Sequence, residues 1–510
     1  MINYKKLFSI VSKSIVVFSI VFCSCKINVT PKPVENPLPS NYIYVKDFAT
    51  YVENSEETEV SVHILDKDPD LSIIKKGLDA NKNKMLSIDL SECTDLIIIK
   101  NKDFIYCNNI KSIILPESIT SIGSYAFYGC SGITEIKLSE NIISIGDVAF
   151  YGCSGITELK LPESITSIGE CAFYNSSIKS FYIPKNLKSF SPGAFSSNYL
   201  EEIIVSPENP YYDSRENCNA IINTEKNAIV YGCASTVIPN SVTSIARDAF
   251  YRSNIQSLII PDFVTSIGAQ AFVESKLKSI IIPSSCSRIE MYTFICCGSL
   301  ESIIFPDIPM YFGKTIFQFC PFKTLKLPDA YCDMAECPFE LAGIEELIIP
   351  PHFSTNDLLP SIFNFAKIQN IKVLDGHPEY DSRDNCNAVI ETKSNRLILG
   401  SKNTVIPDSV ISITGFRGNS LVEKIDIPFG VKSIEDYAFF DCENLNNVTI
   451  SDSVTEIGSR AFYDCSKLDS LIIPDTVTNI GEGAFYNVPL VIYNGSATGS
   501  PWGAIEHRKE

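Results

Sequence analysis

Between Leu115 and Phe173 the chain writes one phrase almost three times: LPESITSIGSYAFYGCSGITEIK from Leu115, LSENIISIGDVAFYGCSGITELK from Leu138 and LPESITSIGECAFYNSSIKSFY from Leu161. The Ala-Phe landmark falls at Phe127, Phe150 and Phe173, a period of 23 residues (150 − 127). A fixed period in the twenties confines a chain to a solenoid, in which one coil cannot bury its own apolar side and each coil completes its neighbour's core. The 510 residues would otherwise suggest several separate domains. Repetition replaces that expectation with one core drawn out along an axis.

Within a coil, Ile133-x-x-Ile136-x-Leu138 and Ile156-x-x-Leu159-x-Leu161 end in the alternation of a short half-buried strand, which Pro or Ser then stops. Ile119, Ile122, Ala126 and Phe127 supply the opposite wall. Gly123, Gly146 and Gly169 recur after Ser-Ile, where a tight turn is expected to require φ > 0. Later copies keep the wording: SVTSIARDAF to Phe250, FVTSIGAQAF to Phe272, GVKSIEDYAFFDC to Cys442, SVTEIGSRAFYDC to Cys465 and TVTNIGEGAF to Phe485. From residue 305 to 370 the Gly and Ala-Phe marks are lost while strand-like runs persist.

These units resemble the BspA-like class of leucine-rich repeats, known from bacterial surface and secreted proteins and some microbial eukaryotes. The resemblance spans roughly residues 86 to 490 and rests on recurrence, not on any single copy. It implies an α/β solenoid: a right-handed horseshoe of about 23-residue coils, with a parallel concave β-sheet, turns or irregular segments outside, and two β-hairpin interruptions.

The N-terminus reads as an export signal, with Lys5, Lys6 and Lys13 ahead of the apolar run Ser14 to Phe22, which is too short for a membrane-spanning helix. It closes in Phe22-Cys23-Ser24-Cys25. That ending resembles a bacterial lipoprotein signal, which implies cleavage after Ser24 and lipidation of Cys25; an ordinary secretory signal or an uncleaved anchor is the alternative. Residues 25 to 41 carry Pro31, Pro33, Pro37 and Pro39, an extended, semi-rigid tether. Residues 42 to 85 lack the repeat and form an N-terminal cap, in which Asp68-Pro69 opens a helix with Leu71, Ile74 and Leu78 on one face. Coils then fill 86–208, 236–376 and 405–487, hairpin inserts fill 209–235 and 377–404, and residues 488–510, with the sole Trp502, close the last coil.

The two inserts share a text, NPYYDSRENCNAIINTEKNAIVYG from Asn209 and HPEYDSRDNCNAVIETKSNRLILG from His377. Asp213 and Asp381 correspond at an offset of 168 (381 − 213), so the array carries a higher-order duplication. Each insert holds two apolar runs about a polar turn, a hairpin that must leave or widen its coil. Asp213 and Arg215, like Asp381 and Arg383, are neighbours in this text. One carboxylate beside a guanidinium suits a self-satisfied turn better than a cation or glycan site, which needs more oxygen ligands.

Sixteen cysteines lie beyond Cys25 (18 − 2). Six stand three residues after the landmark Phe: Cys130, Cys153, Cys297, Cys320, Cys442 and Cys465. They form either an interior ladder of apolar thiols or disulfides between neighbouring coils, which export would permit. No CxxC pair calls for a metal. Four scattered histidines and the absence of HExxH or GxSxG from the sequence point to no enzyme and no cofactor. A formal charge of −18 and a pI near 4.8 argue against nucleic acid.

The water-facing position of the strand is Lys137, Lys160 and Tyr182 in early coils, then Ile204, Ile259, Ile281 and Ile304. A contiguous apolar stripe marks a protein-binding surface. Against that reading, isoleucine also favours strands for their own sake, and a hairpin insert has the size to cover the stripe. The expected function is an exported, lipid-anchored envelope protein facing outward. It would bind a protein or glycan partner such as host matrix or host cell surface, adhesin-like, through Tyr182, Ile204, Ile259, Ile281 and Ile304. The alternative is a structural or self-assembling envelope component with no host ligand.

Overall fold

The computed structural model describes residues 40–195, 199–356, 359–498 and 502–509. The export signal, Cys25 and the proline tether lie outside these residues. Coils of about 23 residues make about 19 turns of a parallel β-solenoid. Each coil contributes to two strand ladders. The first holds the alternating strands, such as Ile110–Ile114, Glu135–Lys137, Ser279–Ile281 and Ser302–Ile304. The second holds two-residue Ser-Ile strands, as at Ser121–Ile122, Ser144–Ile145 and Ser167–Ile168. Both are parallel and in register, with Ile113 opposite Ile136 and Ile122 opposite Ile145.

The Ala-Phe turns form a third column of bonds. The Phe127 N–H donates to the Ala149 carbonyl at 2.8 Å, and the Phe150 N–H to Ala172 at 2.7 Å. These are the turns expected outside the sheet, and among the described residues α-helix is confined to Phe48–Asn54, Leu71–Ala80 and the short Leu359–Ile362. The reason is local: Tyr125, Val148 and Cys171 take φ of 60°, 58° and 51°, which interrupts a right-handed helix. The glycines before them do a different job from the one expected. Gly123, Gly146 and Gly169 are not among the positive-φ residues. A Cβ at Gly146 would instead lie 2.6 Å from the Ser124 nitrogen of the coil below, so this glycine admits close approach of backbone to backbone.

Inside, the landmark rings stack. Phe104, Phe127, Phe150 and Phe173 follow one another at 5.2, 5.1 and 5.4 Å between centroids, nearly parallel. The stack survives the irregular segment, continuing from Phe294 through Phe317, Phe339 and Phe363 at 5.5, 5.1 and 5.0 Å. That segment also has long first-ladder strands, Pro321–Lys326, Gly343–Ile349 and Lys367–Val373. Losing the Gly and Ala-Phe marks therefore leaves the strand wall intact. Each ring is bonded to its neighbours by packing worth about 3–5 kcal/mol per Phe by the usual cost of truncation to Ala.

The N-terminal cap places strands Glu59–Ile64 and Met85–Asp89 at the head of the first ladder. Leu71, Ile74 and Leu78 of its helix are buried as expected. The helix starts later than the Asp68-Pro69 signal implies: its N-cap is Asp70, whose carboxylate accepts the Ser72 N–H at 3.0 Å.

The inserts do not leave the coil. Their strands, Ala220–Asn223 with Ala228–Gly232 and Ala388–Glu391 with Arg396–Gly400, pair antiparallel and then continue in parallel into the second ladder at Ser244–Ile245 and Ser412–Ile413. Both hairpins carry the same register shift, between Ile221 and Ile222 and between Val389 and Ile390. Ile221 and Tyr231 pack into the core before the first hairpin, whereas Ala220, Ile222 and Ile229 pack into the core after it. Val389, Ile398 and Leu399 face back, and Ala388, Ile390 and Leu397 face forward, at the second. Each hairpin is thus a septum, apolar on both faces, that divides the solenoid interior into three cores.

A buried polar group seats each septum. In the first copy Asn209 Oδ1 accepts the Tyr211 and Tyr212 N–H groups at 2.8 and 3.0 Å, and its amide donates to the Pro184 carbonyl at 2.8 Å. In the second, His377 Nδ1 faces the Glu379 and Tyr380 N–H groups at 3.2 and 3.1 Å and Nε2 faces the Phe353 carbonyl. Burial holds the His377 pKa below the usual 6.5, against the opposing pull of the Phe353 carbonyl, Glu379 and Asp329. A folded pKa below the unfolded one means that stability is complete above about 6.5 and falls as the pH drops through the folded value. His377→Asn, which copies the first septum, is expected to match the native thermal midpoint at pH 8. It should exceed that midpoint by a margin that widens below pH 6.5, as followed by circular dichroism.

Candidate interaction surface

The first ladder obeys strict alternation at its end: Leu258 is buried, Ile259 is 87% exposed and Ile260 is buried before Pro261. The next coils repeat this with Ile281 at 62% and Ile304 at 57%. Strand register aligns them, since Leu258 pairs with Ile280 and Ile281 pairs with Ile304. Tyr182 pairs with Ile204 in a separate two-stranded sheet, and there Tyr182 is half-buried and Ile204 47% exposed.

Val237 joins these two parts and escaped the pattern reading. It is 70% exposed and lines one shallow groove with Ile259. The coil that carries it docks on the coil of Ile204, where the Cys233 thiol and the Ser235 hydroxyl both donate to the Glu201 carbonyl. A signal was present in Val237-Ile238-Pro239, which matches Ile259-Ile260-Pro261, but the insert before it obscured the spacing. The insert enters between Ile204 and Val237, its Ser214 hydroxyl donating to the Ile203 carbonyl and its Cys218 carbonyl accepting the Val237 N–H at 3.0 Å, yet both side chains stay exposed. Val237, Ile259, Ile281 and Ile304 occupy successive coils, with Ile204 across the insert from Val237, and the column ends at Lys326, which is exposed.

With two parallel ladders, a stacked Phe interior and a recurring Ala-Phe turn in place, the repeats can be set beside known families. The model of the BspA type leucine-rich repeat region matches residues 74–218, 230–345, 288–386 and 395–497. The chain belongs to this family. Among solved structures, this BspA-type chain is similar to a leucine-rich repeat protein from Eubacterium ventriosum, with 18% identity over 88% of this chain and 93% of that one and a TM-score of 0.37. It is also similar to the pneumococcal vaccine antigen PcpA, with 19% identity, 65% and 78% coverage and a TM-score of 0.37. A leucine-rich cell surface protein from Faecalibacterium prausnitzii matches at 19% identity, 81% and 83% coverage and a TM-score of 0.25. No curated protein matches.

The other sequence candidates fall into structural roles. Arg215 Nε meets Asp213 Oδ1 at 2.8 Å while Nη1 reaches Asn227 Oδ1 at 3.2 Å. Arg383 repeats this with Asp381 at 2.8 Å and Asn395 at 2.8 Å. Each carboxylate is occupied by its guanidinium, and positive φ at Glu216, Asn217 and Asn219 marks a tight turn. Of the histidines, His63 pairs with Asp89, His352 with Asp329, and His507 with the Tyr493 carbonyl. Among the described residues no helix is long and apolar enough to cross a membrane.

All sixteen described cysteines are free thiols. The six landmark cysteines each donate to the carbonyl of the preceding coil's landmark Phe, as Cys153 does to Phe127 and Cys465 to Phe439, both at 3.1 Å. They form the ladder, not the inter-coil disulfides. Burial pushes the Cys153 and Cys465 thiols up to about 12, far from the thiolate that reacts. Iodoacetamide at pH 8 should therefore modify the exposed Cys296 in the native protein and spare Cys153 and Cys465 until denaturant is added, as read by peptide mass spectrometry.

Proposed function

We infer that this BspA-type protein is an exported, lipid-anchored envelope component that binds a protein partner, adhesin-like, through the column from Ile204 to Ile304. The observation that carries this reading is the exposure of Val237, Ile259, Ile281 and Ile304 in consecutive coils. Strand formation does not require them, because equivalent coils accept Lys137, Lys160, Lys326, Asp426 and Thr449 at the same place. Water would favour those polar residues. An apolar column kept where the fold tolerates charge lowers its free energy when a partner covers it, by roughly 1.5–3 kcal/mol for each isoleucine fully buried. Hydroxyls of Ser257, Ser279 and Ser302 run alongside and offer hydrogen bonds to a partner's backbone. The basic N-terminus, the Cys25 signal and the proline tether support export and anchoring.

Cells that display the full-length protein should adhere to immobilised extracellular-matrix proteins, and Ile259→Lys with Ile281→Lys should lower that adhesion at least tenfold without moving the thermal midpoint. Undiminished adhesion by the folded double variant would remove this reading. Cys25→Ala should release the protein from the cell fraction into the medium.

A further inference from the structure

The duplicated cassettes differ in length just after the septum, and there the second one opens a cavity. After the first septum the chain runs from Ile245 through Ala246-Arg247-Asp248-Ala249 to Phe250; after the second it runs from Ile413 through Thr414-Gly415 to Phe416, two residues shorter. The backbone confirms the alignment: the Gly232 N–H donates to the Ala249 carbonyl at 2.8 Å, and the Gly400 N–H donates to the Gly415 carbonyl at 2.9 Å. The shortened turn is built for close approach, because Gly415 has φ of 91° and a Cβ there would collide with the Ile398 carbonyl. A second change alters the same region. Tyr231 of the first septum fills its site with a ring that packs on Phe195 and a hydroxyl that donates to the Phe195 carbonyl at 2.7 Å. Its counterpart is Leu399, and the counterpart of Phe195 is Phe363. Leu399, Phe363, Thr414 and Gly415 line a half-open cavity of about 400 Å³, within the range of small-molecule sites.

Two opposite charges line this cavity and, among the described residues, neither has an ion-pair partner. Arg417 stands over the rings of Phe365, Tyr437 and Phe440 at 5.4, 5.4 and 5.2 Å, which fixes the guanidinium by its faces and leaves the N–H edge for a ligand. Among the described residues no carboxylate lies within ion-pair distance of it; Asp441 feels its charge without pairing. Asp436 lines the same cavity. Its Oδ1 accepts the Ser459 N–H at 2.7 Å, and Oδ2 is left for a donor.

We propose that this cavity binds a small zwitterion, a free α-amino acid with an apolar side chain. The carboxylate lies along the Arg417 edge, where a two-pronged pair is strong. The ammonium meets Asp436, and the side chain lies along the cavity wall at Pro360 and Gly415. The site is independent of the apolar column and faces a different part of the coil.

Isothermal titration of the full chain with L-leucine, 4-methylpentanoate and 3-methylbutylamine tests this directly. Saturable one-to-one binding of leucine is expected, with at least tenfold weaker binding of the analogues that lack the ammonium or the carboxylate. Arg417→Ala should abolish leucine binding by removing the anion partner, and Leu399→Tyr should abolish it by restoring the ring. Thermal midpoints report whether each variant is folded, and the exposed Arg417 variant decides the matter if Leu399→Tyr is not. Absence of leucine binding, equal binding of the three probes, or leucine binding that survives in folded Arg417→Ala would overturn the proposal.

Discussion

Every coil of this protein is completed by the next. Three columns of backbone hydrogen bonds, two strand ladders and the Ala-Phe turn, run from coil to coil. The Phe rings stack at 5.1–5.5 Å over much of the array, close to the roughly 4.7–4.9 Å between hydrogen-bonded strands. A side chain that points inward therefore meets its own equivalent above and below, so an interior residue that suits one coil suits all of them. The landmark thiols follow the same rule, each donating to the Phe carbonyl one coil below.

Such a stack has no intrinsic length and no intrinsic place to stop. The septa supply internal boundaries: by turning two strands antiparallel and burying both their faces, each ends one core and begins the next. The cassette between Asp213 and Asp381 is thereby a unit with its own floor. Duplication of such a unit leaves the neighbouring contacts unchanged, which is why the copies retain even the same register shift. It also leaves the second copy free to vary, as the exchange of Asn209 for His377 and of Tyr231 for Leu399 illustrates.

The outward positions are under no comparable restraint. Lys, Asp, Thr, Val and Ile all occupy the same site on the first ladder without altering the strand beneath. Residue choice there reflects what lies outside the coil. The apolar column and the cavity behind the second septum both arise where one coil departs from its neighbours, the column by surface residues and the cavity by a shortened turn.

Period, strand positions, interior Phe and Cys ladders and the two hairpin texts are all legible in the amino-acid order, because stacking makes each a local pattern repeated in sequence. The outward isoleucines were legible for the same reason: alternation assigns them to water. Three things were decided only by tertiary contact. Whether a glycine serves a turn or a close approach depends on the backbone of the coil below, and Gly146 serves the latter. Whether a hairpin leaves the coil or closes it depends on which ladder its strands join. The cavity exists because Leu399, Thr414 and Arg417 meet residues such as Phe363 and Tyr437 from other coils. Sequence determines what every coil has in common, since the repeat imposes it locally; the differences take their meaning only from the neighbours that the fold places against them.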